Sequence, residues 1–284
     1  MKTNNHWIKY FGIAFGLIIA LGLISMIVNG GILVLSSLGL MRNNILTQQS
    51  ITKDFNQEYS EKIENMDVNF NAGNLIVQSG DKFMIGGSDL SSGLKIQVEN
   101  GTLIIEDQGN VNLFGNLLRQ KKAPTLVITI PKDTILNRVD LEMGAGRGEI
   151  NGISAKELNL TQGAGELVAT NVQAQSGKLS GGAGAVSFTS VKLHNFDIES
   201  GVGLVEIQGQ LTGDFKLDCG VGQTILNIDG NAQDYFIDAD QGLGPITVNG
   251  NKLSENGTGP KTATNSLEVN GGVGAVEINF NPQT

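Results

Sequence analysis

Residues 144–207 read GAGRGEINGISAKELNLTQ, GAGELVATNVQAQSGKLSG, GAGAVSFTSVKLHNFDIES and GVGLVEI, three complete periods and the opening of a fourth. The string Gly-x-Gly followed by a short apolar run begins at Gly144, Gly163, Gly182, Gly201 and Gly220, always 19 residues apart. It returns at Gly242 and Gly272 after gaps of 22 and 30. Chance spacing in a Gly-rich tract would scatter; a fixed period marks a repeat architecture.

Each period holds two apolar alternations. One column is Ile150, Ala169, Phe188, Ile207, Leu226, Val248 and Ile278; two places earlier stand Gly148, Leu167, Val186, Val205, Thr224, Ile246 and Val276. A second column, Leu160, Leu179, Ile198 and Leu217, closes each period. Alternation at period two means strands with one buried face. Two short strands per turn, stacked turn upon turn, predict an all-β chain coiled as a β-solenoid (a single-chain β-helix) of about 19-residue turns. Asn159, Lys178, Asp197 and Lys216 then point outward, and Lys178, Asp197 and Lys216 are expected to form an alternating-charge ladder at about 4.8 Å spacing. The Gly pairs fit sharp corners, where positive φ or an absent Cβ is needed. They do not fit a dinucleotide fingerprint: the sixth position is never Gly, and the pattern after it is that of a strand. Nor do they fit a calcium-binding β-roll, whose Asp is missing.

Upstream, Met66–Phe70, Asn74–Gln78, Leu94–Val98, Leu103–Glu106 and Leu126–Ile130 read as strands, with Asn100-Gly101 as a hairpin turn. Asn71–Val77 is a degenerate copy of the repeat, a first turn or cap. The solenoid domain is therefore expected over 62–284, after a polar stalk at 41–61.

Phe11–Leu40 carries no charge over 30 residues, enough to span a bilayer core, which needs about 20. Asn29-Gly30-Gly31 breaks the run, so Phe11–Val28 is the best span and 11–40 the anchor. A cleaved signal peptide is the alternative; its apolar region would be shorter and closed by small residues. Lys2 and Lys9 precede the span closely, whereas Arg42 and Lys53 follow at a distance. The positive-inside rule then puts 1–10 in the cytoplasm and the C-terminal domain outside, as a single-pass protein of the cell membrane.

Composition excludes several classes. A net charge of −9 argues against nucleic-acid binding. One cysteine, Cys219, precludes an intramolecular disulfide framework or a Cys-based zinc cluster, and two histidines, His6 and His194, offer little for metal or catalysis. No metal or other cofactor is expected. Asp238 and Asp240, two apart on a strand, are the nearest approach to a hydrolase carboxylate pair, but neither a sugar-stacking ring nor a basic group accompanies them. They read as a solvated face, and no enzyme activity is expected. His194 reads as an exposed turn residue. Cys219 fills the slot before a corner that Gln162, Gly181 and Ser200 fill elsewhere, or pairs between chains. Two segments suit contact with a partner. Asn110–Ala123 sets Leu113, Phe114, Leu117 and Leu118 beside Arg119, Lys121 and Lys122, fitting either an end cap or contact with anionic lipid or wall polymer. Asn249–Ser266 is a polar, Gly-rich insertion, fitting either binding or decoration.

The chain resembles the bacterial DUF4097 family, a candidate adhesin domain. The likeness lies in NGTLII at Asn100–Ile105, LVITIPKDTILNRVDLEMGAGRGEI at Leu126–Ile150, and the ladder GAGELVA, GAGAVSF and GVGLVEI, and it extends over Met66–Phe280. The family's Ser-Gly-Asp is replaced here mostly by Ala-Gly or Val-Gly with Glu or an apolar residue. The resemblance implies a cell-surface β-solenoid, often behind one N-terminal membrane helix, serving adhesion, binding or scaffolding toward a protein or wall polymer. Some members are similar to membrane proteins of envelope-stress loci, which implies an accessory signalling role as the second reading.

Overall fold

The computed structural model describes residues 54–108, 122–253 and 257–282. The expected anchor at 11–40, its flank at 1–10, the stalk as far as 53 and most of the 110–123 segment lie outside the described residues. Among those described, no helix is long and apolar enough to cross a membrane, and the one helical turn is the 3-10 turn Ala232–Asp234.

The strands in chain order are β1 (Phe55–Glu58), β2 (Asn65–Gly80), β3 (Met84–Ser88), β4 (Leu94–Glu99), β5 (Thr102–Asp107), β6 (Thr125–Pro131), β7 (Ile135–Asn151) and β8 (Ser154–Thr170). They continue as β9 (Gln173–Glu199), β10 (Val202–Asp218), β11 (Val221–Asp229), β12 (Tyr235–Asp240), β13 (Ile246–Val248), β14 (Asn251–Lys252), β15 (Asn265–Asn270) and β16 (Val276–Asn281). All belong to one 16-stranded, solenoid-like sheet. The 19-residue interval is its parallel register: Ile150 faces Ala169, Ala169 faces Phe188, Phe188 faces Ile207 and Ile207 faces Leu226.

Both inner columns meet in one core. Phe188 is fully buried between the smaller Ala169 and Ile207, and Phe196 stacks on Phe215 with ring centroids 6.3 Å apart. Gly177 leaves room for the Phe196 ring, since a Cβ there would press on it. Gly148 breaks its column, and Met143 fills most of the space, leaving a gap of about one water's size beside Leu75 and Leu167. Removing a buried aromatic such as Phe188 from so close-packed a stack costs about 3–5 kcal/mol.

Stacking departs from chain order at both ends, contrary to the simple turn-upon-turn expectation. At one end β2 lies between β7 on one edge and β5 and β6, each paired with it separately, on the other. At the other, β15 lies between β10 and β12, and β16 between β11 and β13. The Gly272 turn thus sits inside the Gly242 turn. Interior placement pairs each of these terminal turns on both edges, where a terminal segment would otherwise fray. Antiparallel pieces then cover the exposed edges: β3 on β6, β4 on β5, and β14 on β13.

The charges beside the ladder at the second end are mixed: Lys216 faces Glu268, Glu268 faces Asp238, and the two carboxylates beyond them are held apart by an amide. Asp218 faces Asn270, which faces Asp240. Chain-order stacking would set Asp218 against Asp240, and like charges directly opposite are destabilising. Ser266 Oγ donates to Asp214 Oδ1 at 2.7 Å, and Gln223 Nε2 to Glu277 Oε1 at 2.9 Å, bonds that belong to the inserted turn alone.

Two further expectations change. Phe55–Glu58, assigned to the stalk, is an edge strand paired with β3, and Phe55 and Tyr59 pack on the core. The charge ladder keeps its register at Asp197 and Lys216, but its ion pairs go elsewhere. Lys178 meets Glu199 at 2.7 Å, and Lys216 meets Asp218 at 3.5 Å and Glu268 at 3.8 Å.

Candidate functional site

The residues singled out for chemistry do not converge. Asp238 and Asp240 stand exposed on the outer face of β12, opposite Glu268 and Asn270 of β15. His194 is exposed on β9, its Nδ1 3.1 Å from Thr212 Oγ1. Cys219 is half-buried with Sγ 3.7 Å from Thr224 Oγ1. Burial pushes its thiol above the ordinary range, with the Thr224 hydrogen bond opposing, so little of the nucleophilic thiolate forms at neutral pH. Among the described residues no three His, Cys, Asp or Glu side chains group as metal ligands would.

Of the two contact segments, 109–121 lies outside the described residues, whereas Lys122 and Ala123 are exposed. The Asn249–Ser266 insertion is partly built into the fold. Asn249 and Gly250 turn with positive φ into β14, Leu253 is buried, and Thr258 bridges Ile237; residues 254–256 lie outside the described part.

What the fold does bring together is the line of corners. Ala145, Ala164, Ala183, Val202 and Val221 are register partners in successive turns. Val273 bridges Val221, and the Leu243 N–H donates to the Gly272 carbonyl at 2.8 Å. Every one of these seven side chains is apolar. They form a continuous ridge because the glycines on either side bring the turns close. Gly203 has φ +142°, and a Cβ on it would overlap the Gly184 carbonyl. Gly201 lacks positive φ but its Cβ would overlap the Gly182 carbonyl. The first Gly is required by close approach and the second by conformation as well.

Val202 is 56% and Leu243 70% exposed, the Val221 and Val273 side chains between them are half-buried, and Leu204, two residues past Val202, is 38% exposed beside the ridge. A shallow cleft lined by Gln162, Gly181, Ser200, Val202 and Leu204 opens beside it. Arg147 pairs with Glu149 at 2.7 Å and also with Glu166, confining charge to the flank. The middle residue of Gly-x-Gly drew no expectation from the sequence, so this surface was missed. Its signal was present in the uniform Ala, Val and Leu at that position.

A DUF4097 family model, described as Toastrack, matches residues 42–258. The chain belongs to this family. Toastrack membership agrees with the all-β, solenoid-like sheet. Solved structures similar to the chain include the following three. A candidate cell-adhesion protein from Clostridium sporogenes is 20% identical, with a TM-score of 0.40 over 81% of this chain and 100% of that one. A candidate adhesin from Bacteroides fragilis is 16% identical, with a TM-score of 0.42 over 80% and 97%. A candidate lipid-binding protein from Parabacteroides distasonis is 13% identical, with a TM-score of 0.37 over 82% and 98%. No curated protein matches the chain.

Proposed function

We propose that this Toastrack protein is a single-pass membrane protein whose extracytoplasmic β-solenoid of 19-residue turns binds a protein or wall polymer at the cell surface, for adhesion or scaffolding. The apolar corner ridge carries the reading. Exposed apolar side chains gathered along one line mark interaction sites, and here they stand on a chain of net charge −9. The uncharged run Phe11–Leu40 supports the anchor. The role is non-enzymatic and directed away from nucleic acid; the solvated setting of Asp238 and Asp240 and the acidic balance support this.

Protease treatment of intact cells should degrade the domain, and complete protection would reverse the orientation. Capture from envelope fractions with the purified protein should retain wall polymer or a surface protein. Retention of a membrane sensor alone would instead favour the accessory role in envelope-stress signalling.

A further inference from the structure

Gln162 is 3% exposed, and its Nε2 is buried without a hydrogen-bond partner among the described residues. A buried N–H group left unpaired costs about 1–3 kcal/mol, so such a group asks for a partner. The neighbouring turn supplies the place. Gln162 faces Gly181 in register, and both line the cleft beside the ridge. Gly181 differs from the corner glycines around it. A Cβ on Gly182 or Gly184 would overlap backbone, whereas a Cβ on Gly181 would have the Glu199 carbonyl oxygen at 3.6 Å and nothing else closer than 4.0 Å. The column before the corner runs Met143, Gln162, Gly181, Ser200, Cys219, and at Gly181 it lacks a side chain. Two residues with acceptors border the slot: Glu199, whose carbonyl oxygen is the 3.6 Å neighbour, and Ser200, whose Cα lies at 4.0 Å and whose Oγ already accepts from the Gly220 N–H at 3.1 Å.

We propose that this slot binds one structural water, which accepts from Gln162 Nε2 and donates to the Glu199 carbonyl and Ser200 Oγ. A buried water needs about one probe sphere of room and two to four polar partners. The cleft has that room, and the three groups named supply the partners. The water stands in for the missing side chain of turn 163–181 and completes the polar bonding of the column beside Val202 and Leu204. This inference is independent of the binding role assigned to the ridge.

The test uses Gly181, which has no positive φ and tolerates small side chains. In the full chain in detergent, Gly181→Ser places a hydroxyl where the water binds and should melt at or above the parent temperature. Gly181→Ala expels the water and offers Gln162 nothing, so it should melt lower than Gly181→Ser by about 3 °C or more. In a Gln162→Met background, which places in this slot the side chain found at Met143, the Ser advantage should vanish. Equal melting of the Ser and Ala variants with Gln162 present overturns the proposal, as does an unchanged Ser advantage without it. Water-to-protein NMR transfer gives a reading free of substitution: the Gln162 side-chain amide should show a long-lived water contact, and absence of that contact also overturns the assignment.

Discussion

Asn270 Nδ2 donates to Asp218 Oδ1 at 2.7 Å, across the junction where the last turn enters between two earlier ones. Fifty-two residues separate the partners. On its other side Asn270 faces Asp240, so one neutral amide keeps two carboxylates a full strand spacing further apart than chain-order stacking would.

Replacing that amide with a carboxylate should therefore be costly. Asn270→Asp would align three acidic groups at about 4.8 Å spacing and remove the bond to Asp218. The expected loss is about 1–3 kcal/mol at neutral pH, from two like-charge contacts and one hydrogen bond. It should shrink as pH falls through the carboxylate range and as salt rises. Denaturant melts across pH and salt measure it. A loss independent of both would mean that charge repulsion at this position does not account for it.

The corner glycines yield a second expectation. Gly203→Val combines positive φ with a Cβ that would overlap the Gly184 carbonyl, and should cost about 3 kcal/mol. Val202→Ala, next to it on the exposed ridge, should stay within about 0.5 kcal/mol, as Ala occupies the equivalent corners at Ala145, Ala164 and Ala183. Denaturant midpoints of the two variants give the comparison, and similar values would contradict the close-approach account.

These features differ in how far the sequence disclosed them. The 19-residue register, the inward columns, the Asn100-Gly101 turn with φ of 50° and 75°, and the copy around Gly73, which faces Gly146, were all legible. Each follows from local periodicity or from a residue's own conformational preference. The order of the last turns was not, because GLGPITV and GVGAVEI obey the same local grammar. Their order depends on pairs such as Asp218 and Asn270 that meet only after stacking. β3 was hidden for another reason. It contains Gly86-Gly87, which reads as a turn, yet Gly86 pairs with Val127 and allows the backbone of β1 to approach. The ridge was legible in principle, but its apolar positions lay 19 or more residues apart and outside both buried columns.

Tyr235 gives an alkaline signature. Its hydroxyl donates to the Leu211 carbonyl at 2.7 Å, and burial, with a smaller effect from Asp234, pushes its phenol up to about 12. An unfolded tyrosine ionises near about 10. Folding therefore favours the protonated phenol: its contribution is fully present below about pH 10 and is lost as pH rises through about 12. Absorbance titration should show this phenol ionising late, with the melting temperature falling over the same window. In Tyr235→Phe the fall between those values should be smaller; an identical fall would assign it to other groups.

The last expectation concerns the ridge. Val202, Leu204 and Leu243 are exposed apolar side chains whose loss should leave the core columns untouched. Changing all three to Ser should move stability little, since exposed positions away from special backbone features change it by about 0.5 kcal/mol or less each. The same change should strongly reduce capture of envelope material, because contact residues near the centre of a binding patch dominate its energy. Changing Asp238 and Asp240 to Asn, on the charged outer face, should leave capture intact. Parallel pull-downs with the three forms, each matched by a melt, separate these outcomes. If the ridge variant binds as well as the parent, the line of corners is only the seam along which the turns close, and binding must be sought on the charged face.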